Sequence, residues 1–595
     1  MTPIGRKLVW SAVALLLSGG MVWAAFQTLA TPPPPLSAWA PQGSLLAIEA
    51  KDFSALLKDW SSSEQHRIWL TSDNYAEFSR SRLFSRLGEA QQQFAASAGL
   101  TADTNFLNQV AGKESLLAWY DIGNLEFLYI THLPNSVAEQ TPLLQERGKF
   151  EARKAGAETF YVRSQGDPKR TVAFATHGDY LLLATREDLL ANALLLMQGQ
   201  GNLDLREEHW YAAATAAAKE NPGDLRMTLN LAAIVPLPYF RSYWVQRNIS
   251  DMKQYGAAVS DLYRTPVSFR EERVLLPKSA ETAITAADVA PVMQYLPKAA
   301  GVYRATARPS TDEIIAVLGQ KLLFRDVAAY RDARLAPVAD LSQQNVGSAT
   351  DLETRIDTPP LPQQPITVAL TPLHALVDAA QVDTMLIASS TGDAPDHLFL
   401  PIRSTVVLAA SGPWNIEALQ AALTGALRAR LTAGDNGLQW QARKQGVLSW
   451  YELEGLQPLA FAVVGNVCVL ASDSGTLLRS LTLAHDENTR PQLAMIAAGF
   501  NHTVERAHFA RITGLLDQQP KNQRSPVPGV EGQPEDSSQD SDDGPPDDGE
   551  TPAFFAKNIR SLSDTFKALD SETFVEQPDA DAHLVRQTVV YQWKH

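Results

Sequence analysis

Three patterns of apolar and polar positions divide the chain. The first is a block: residues 8–30 hold 23 positions without a charge, directly behind Arg6 and Lys7. As a helix such a block reaches about 34 Å, enough for a hydrocarbon core of about 30 Å. The flanking cations keep the N-terminus (residues 1–7) cytoplasmic and send the rest of the chain across the membrane. Four prolines at 32–35, within a spacer of residues 31–40, end the helix and extend the chain away from the bilayer. A cleaved signal peptide is the alternative, since Val22-Trp23-Ala24 before Ala25 resembles a small-residue cleavage site. Under either reading the body of the chain is exported, to the periplasm if the source is a Gram-negative bacterium.

The second pattern is alternation, and it occurs twice. Residues 151–161 match 441–451 at five of eleven positions, and residues 171–196 match 458–483 at nine of 26. Each copy reads as a strand, a tight turn at Gly178-Asp179 or Gly465-Asn466, a second strand and then an amphipathic helix. Fainter matches extend outward. Residues 125–134 parallel 405–414, residues 225–235 parallel 505–516, and residues 238–263 parallel 552–574. The closing strands at 269–276 and 583–593 correspond, as do the entrances at 41–57 and 362–377. The expected fold class is therefore α+β: two tandem homologous lobes, at 41–277 and 359–595. Each is expected to be an antiparallel sheet covered by helices, behind an N-terminal transmembrane helix. Residues 278–358 join them, with helices expected around 287–296 and 311–323.

The third pattern is confined to the first copy. Residues 60–114 carry a helical period that sets Phe78, Leu83, Leu87 and Phe94 on one face, and the second copy spends far fewer residues there. Function is expected in such unshared parts or between lobes, ahead of the common scaffold.

Composition narrows the partners. The chain carries 51 Lys+Arg against 66 Asp+Glu, which disfavours nucleic acid, because phosphate binding needs a basic face. Nine of the acidic residues lie in an insertion at about 518–552, rich in Pro, Gly and Ser, which reads as a disordered loop. Within it, residues 540–544 briefly resemble a calcium loop, but Gly544 falls at the fifth position, where an oxygen ligand is required. A single cysteine excludes a disulfide framework, and Cys468, which aligns with Leu181, reads as a packing residue.

Catalytic and cofactor signatures are not found. There is no Gly-x-Ser-x-Gly, no His-Glu-x-x-His and no complete phosphate loop at Gly112-Lys113. Ser250 and Lys253 have a Ser-x-x-Lys spacing, but the motifs that should follow are missing. No cofactor or metal is expected. The candidate binding residues are Tyr239, Phe240, Arg241, Tyr243, Trp244 and Arg247, whose aromatic i,i+4 pairs beside guanidinium groups suit a sugar ring or a peptide. The expectation is a membrane-anchored, extracytoplasmic binding or assembly protein that holds a protein or glycan partner. Two alternatives stand beside it: an envelope hydrolase using dispersed carboxylates, and a purely structural subunit.

Overall fold

The computed structural model describes residues 33–71, 75, 79, 82–165, 170–201, 203–219, 222–237, 252–278, 288–297, 300–323, 370–392, 402–431, 438–453, 458–482, 494–505, 569–579 and 583–593. Ten strands come from the first part of the chain: β1 (Leu46–Ala50), β2 (Ser115–Asp121), β3 (Glu126–His132), β4 (Glu151–Ala155), β5 (Glu158–Gln165), β6 (Arg170–His177), β7 (Tyr180–Ala184), β8 (Leu225–Leu229), β9 (Tyr255–Thr265) and β10 (Ser268–Pro277). Ten more follow: β11 (Val302–Ala307), β12 (Val382–Thr391), β13 (Ile402–Ala410), β14 (Trp440–Gln445), β15 (Leu448–Leu453), β16 (Leu459–Val464), β17 (Val467–Ala471), β18 (Ile496–Asn501), β19 (Leu569–Asp579) and β20 (Leu584–Trp593).

All pair antiparallel, in one sheet. Its order is β4-β5-β6-β7-β3-β2-β1-β8-β9-β10-β20-β19-β18-β11-β12-β13-β17-β16-β15-β14, which reads the same from either end once equivalent strands are matched. The seam is β10–β20, in register from Ser268↔Gln592 to Leu275↔Val585.

This corrects the expected fold class. The two copies do not carry separate sheets; the ladder at the seam joins the twenty described strands into one sheet. The strand placed in the joining segment, β11, pairs with β12 and β18 just as β1 pairs with β2 and β8. A strand five or six residues long carries too little sequence to reveal such an equivalence. No helix of the described residues is long and apolar enough to cross a membrane, and residues 8–30 lie outside those residues.

The central block repeats in atomic detail. Tyr161 stacks on its cross-strand partner Phe174 with ring centroids 5.4 Å apart, and Tyr451 stacks on Phe461 at 5.2 Å. Gly178 and Gly465 turn the two equivalent hairpins at φ 55° and 63°, where a side chain is strained. One ion pair recurs with its charges exchanged. Glu126 accepts from Arg186 at 3.0 Å in the first copy, while Arg403 faces Asp473 at 3.9 Å in the second.

Helices cover both faces. On one face Leu36–Trp39, α5 (Glu187–Met197) and α6 (His209–Ala217) bury Leu116, Leu128, Ile130 and Leu182. The opposite face of the first half carries α1 (Phe53–Ser62), α2 (Glu64–Leu70), α3 (Arg82–Ala98) and α4 (Thr104–Val110). The second half fills the same face with α7 (Thr311–Leu318), α8 (Thr371–Ala380) and α9 (Ile416–Leu431). Their side chains Ile315, Leu318, Leu373, Leu423 and Leu427 pack on Leu408, Phe461 and Cys468. α10 (Ser474–Thr482) repeats α5 on the other side.

Candidate functional site: an apolar cavity in the first half

Between α3, α4 and the sheet lies a cavity of about 890 Å³. Strand alternation builds its floor: in β2, Leu116 and Ala118 point into the opposite core, so Ser115, Leu117 and Trp119 face the cavity. Register then aligns neighbours on that same face. Ile48 lies opposite Leu117, Ala50 lies between Ser115 and Leu225, and Tyr129 and Phe127 lie opposite Leu117 and Trp119. The Trp119 and Phe127 rings stand 5.5 Å apart, and Val172 and Leu183 complete the floor.

The roof is helical. Asp103 starts α4 by accepting the Phe106 N–H at 2.9 Å, and Asp52 starts α1 by accepting that of Ala55 at 2.9 Å. Phe94 on α3 meets Phe106 on α4 with centroids 6.0 Å apart, and the Gln91 amide donates to the Ala102 carbonyl. After α4 the chain runs close against β3. At Gly112 a Cβ would stand 2.2 Å from the His132 carbonyl oxygen, so only glycine fits. Leu87 and Leu107 line the cavity yet remain 50 % and 38 % exposed, which places its mouth between α3 and α4.

Polar groups gather at two ends. At the inner end the Ser115 and Thr131 hydroxyls are 2.6 Å apart, Thr131 Oγ1 accepts the Gly112 N–H at 3.1 Å, and the Tyr129 hydroxyl donates to the Val110 carbonyl at 3.1 Å. Burial pushes the Tyr129 phenol above its ordinary range. At the other end Arg186 pairs with Glu126 at 3.0 Å and with Asp188 at 2.5 Å. Arg170 donates to Gln93 Oε1 at 2.9 Å and to the Asn124 carbonyl at 2.7 Å.

The carboxylates that line this cavity therefore have structural tasks: Asp103 caps a helix and Glu126 holds Arg186. Among the described residues no histidine or cysteine lines it. Aromatic walls whose carboxylates are already engaged suit binding better than acid–base chemistry.

A second polar cluster lies on the opposite face. Glu49, Arg226, Asp261 and Glu272 stand opposite one another across β1, β8, β9 and β10. Arg226 donates to both Asp261 oxygens, at 2.8 and 2.7 Å, with both side chains buried, and Lys219 reaches Glu272 at 2.6 Å. Burial raises the Glu49 carboxyl above the usual carboxylate range, against the pull of Arg226. A buried bidentate pair flanked by ladder partners reads as the fastening of β8 to β9.

The candidate residues from sequence, Tyr239, Phe240, Arg241, Tyr243, Trp244 and Arg247, lie outside the described residues, as do residues 540–544. Cys468 is buried in β17, and burial pushes its thiol far up. His502 bonds Glu572 at 2.9 Å. Among the described residues no group of three or more His, Cys, Asp or Glu side chains is placed to hold a metal ion. Leu87 and Phe94, singled out by helical period, both line the cavity, while its floor residues carried no sequence signal beyond ordinary strand alternation.

No family model and no curated protein matches this chain. It is similar to the solved structure of TP0453 in crystal form I at 11 % identity, over 42 % of this chain and 81 % of that one, with a TM-score of 0.22. So low a score says nothing about fold or function.

Proposed function

We propose that this protein is an exported binding protein whose first half takes an apolar ligand into the cavity beneath α3 and α4. The observation that carries this reading is the cavity wall itself: Phe94, Phe106, Trp119, Phe127, Val172 and Leu183 converge on a volume in the range of ligand sites. An engineered apolar cavity of about 150 Å³ stays dry and takes up benzene. Filled with water, this much larger one would hold tens of molecules with few polar partners, and an apolar ligand would displace them favourably. Duplication adds support, because the second half packs α7, α8 and α9 onto the equivalent face.

The envelope-hydrolase reading has less behind it, because the lining carboxylates are already engaged. A glycan would need hydroxyl and amide partners along the floor, where aromatic and aliphatic groups stand instead. Export is supported by residues 8–30 behind Arg6 and Lys7, so binding would occur outside the cytoplasm. Reporter fusions after Pro35 and at the C-terminus test export; a cytoplasmic signal from either overturns it.

Binding is tested by titrating the full chain with N-phenyl-1-naphthylamine, which fluoresces in apolar surroundings. Saturable binding to the wild type is expected, and Ala90→Phe, which puts a ring into the cavity from α3, should weaken it severalfold. Equal binding by both proteins would refute the site.

A further inference from the structure

One of the cavity's two polar ends leaves a charge unmatched. Where β3 and β6 begin, its wall is made by Asn124, Glu126, Arg170, Thr171, Thr185 and Arg186. Arg186 is matched twice, by Glu126 and Asp188. Arg170 is different: its bonds go to two neutral acceptors, Gln93 Oε1 and the Asn124 carbonyl, and no carboxylate among the described residues pairs with it. A guanidinium carries five N–H donors in a planar fork, so three remain for a ligand. From this end the apolar wall runs on through Phe127, Val172 and Leu183 to Phe106 and Val110.

We infer that the ligand is an amphiphile, with an apolar chain along that wall and one anionic head on Arg170. This rests on the cavity reading above and adds the head group to it. A half-buried cation beside apolar surface is poorly compensated, and a carboxylate or a phosphate ester presents two oxygens in the spacing that a guanidinium fork meets. Both heads share that chemistry, and the ligand series below separates them. The surplus acidity of the chain makes an anionic ligand unexpected from composition alone; the local charge at Arg170 decides the matter.

The test uses the full chain held in amphipol, so that no detergent chain competes for the cavity. Tryptophan fluorescence, with Trp119 in the wall, is followed during titration with dibromostearate, dibromostearyl phosphate and dibromostearyl alcohol, whose bromines quench on contact. At least one anion should bind about tenfold or more tightly than the alcohol. Arg170→Gln should remove that margin and leave the alcohol unchanged, which also reports that the variant is folded. The anion with the larger margin identifies the head. Equal affinities for all three ligands in the wild type, or an equal loss for all three in Arg170→Gln, would overturn the inference and leave the cavity reading standing. Quenching by none of them would overturn the cavity reading itself.

Discussion

Introducing the same large side chain into equivalent faces of the two halves should have opposite consequences. Ala50 lies on β1 with its side chain toward the cavity, between Ser115 and Leu225, while Ala426 on α9 is fully buried against the second half's core. A phenyl ring fits a space of about 150 Å³, a small part of the 890 Å³ available beside Ala50. Burying that ring contributes about 1.5–3 kcal/mol, and the rotamer freedom it loses costs about 0.5–1 kcal/mol. Ala50→Phe should therefore stabilise the ligand-free protein by roughly 1–2 kcal/mol. Ala426→Phe has no space and should destabilise by about 1–3 kcal/mol or more. The helix preference for alanine over phenylalanine accounts for only about 0.5 kcal/mol of that contrast. Urea unfolding midpoints, compared at constant slope, measure both changes. If the two variants shift in the same direction, the space beneath α3 and α4 is not available to a side chain, and the ligand argument falls with it.

Other consequences are as direct. Asp261→Asn leaves Arg226 buried without its anion and should cost about 3–5 kcal/mol in chemical unfolding, whereas Glu272→Gln at the wetter end of the same row should cost far less. Glu49 is raised by burial, so its contribution to stability is present below the ordinary carboxylate range and is lost as pH rises through the folded value. Glu49→Gln should accordingly raise the unfolding midpoint at neutral pH and flatten its change from acidic to neutral solution; an unaltered pH profile would contradict the assignment. Cys468 should resist maleimide in the folded protein and react once urea unfolds it, and rapid labelling under native conditions would place the thiol elsewhere than in the core. Gly112→Ala should lower the melting temperature, because its methyl group would meet the His132 carbonyl.

The repeat was legible where side chains repeat function by function. Tyr161 and Tyr451, Phe174 and Phe461, and Gly178 and Gly465 each need the same residue for the same stacking or turn, so identity survives between the copies. It was not legible at β1 and β11, whose sequences LAIEA and VYRATA share only the requirement to pair on both sides. A similar beginning at 41 and 362 drew the match to the wrong place, and the seam was invisible because strand pairing between copies leaves no periodic trace. The exchanged pair Glu126–Arg186 and Arg403–Asp473 is a different case: a charge reversal keeps the interaction while erasing identity at both positions. The cavity was half visible. The helical segment at 60–114 drew attention by being unshared, and Leu87 and Phe94 belong to the site. Leu117, Trp119 and Phe127 look in sequence like any other buried strand residues, since nothing local records that the helix above them stands away.

The position of the seam also dictates an order of events. β10 has one neighbour, β9, within reach early in synthesis, and its other neighbour, β20, is the last of the described strands to be made. Synthesis runs from the N-terminus, so the first half passes through a stage in which the whole length of β10 offers unpaired backbone groups to any strand nearby. The residues at its middle are Arg270, Glu271, Glu272 and Arg273, and charges on an open edge discourage adhesion between chains. The same four residues become interior to the sheet when β20 arrives. A strand that ends its life in the centre of the sheet is thus dressed as an edge, for the interval before β20 closes over it.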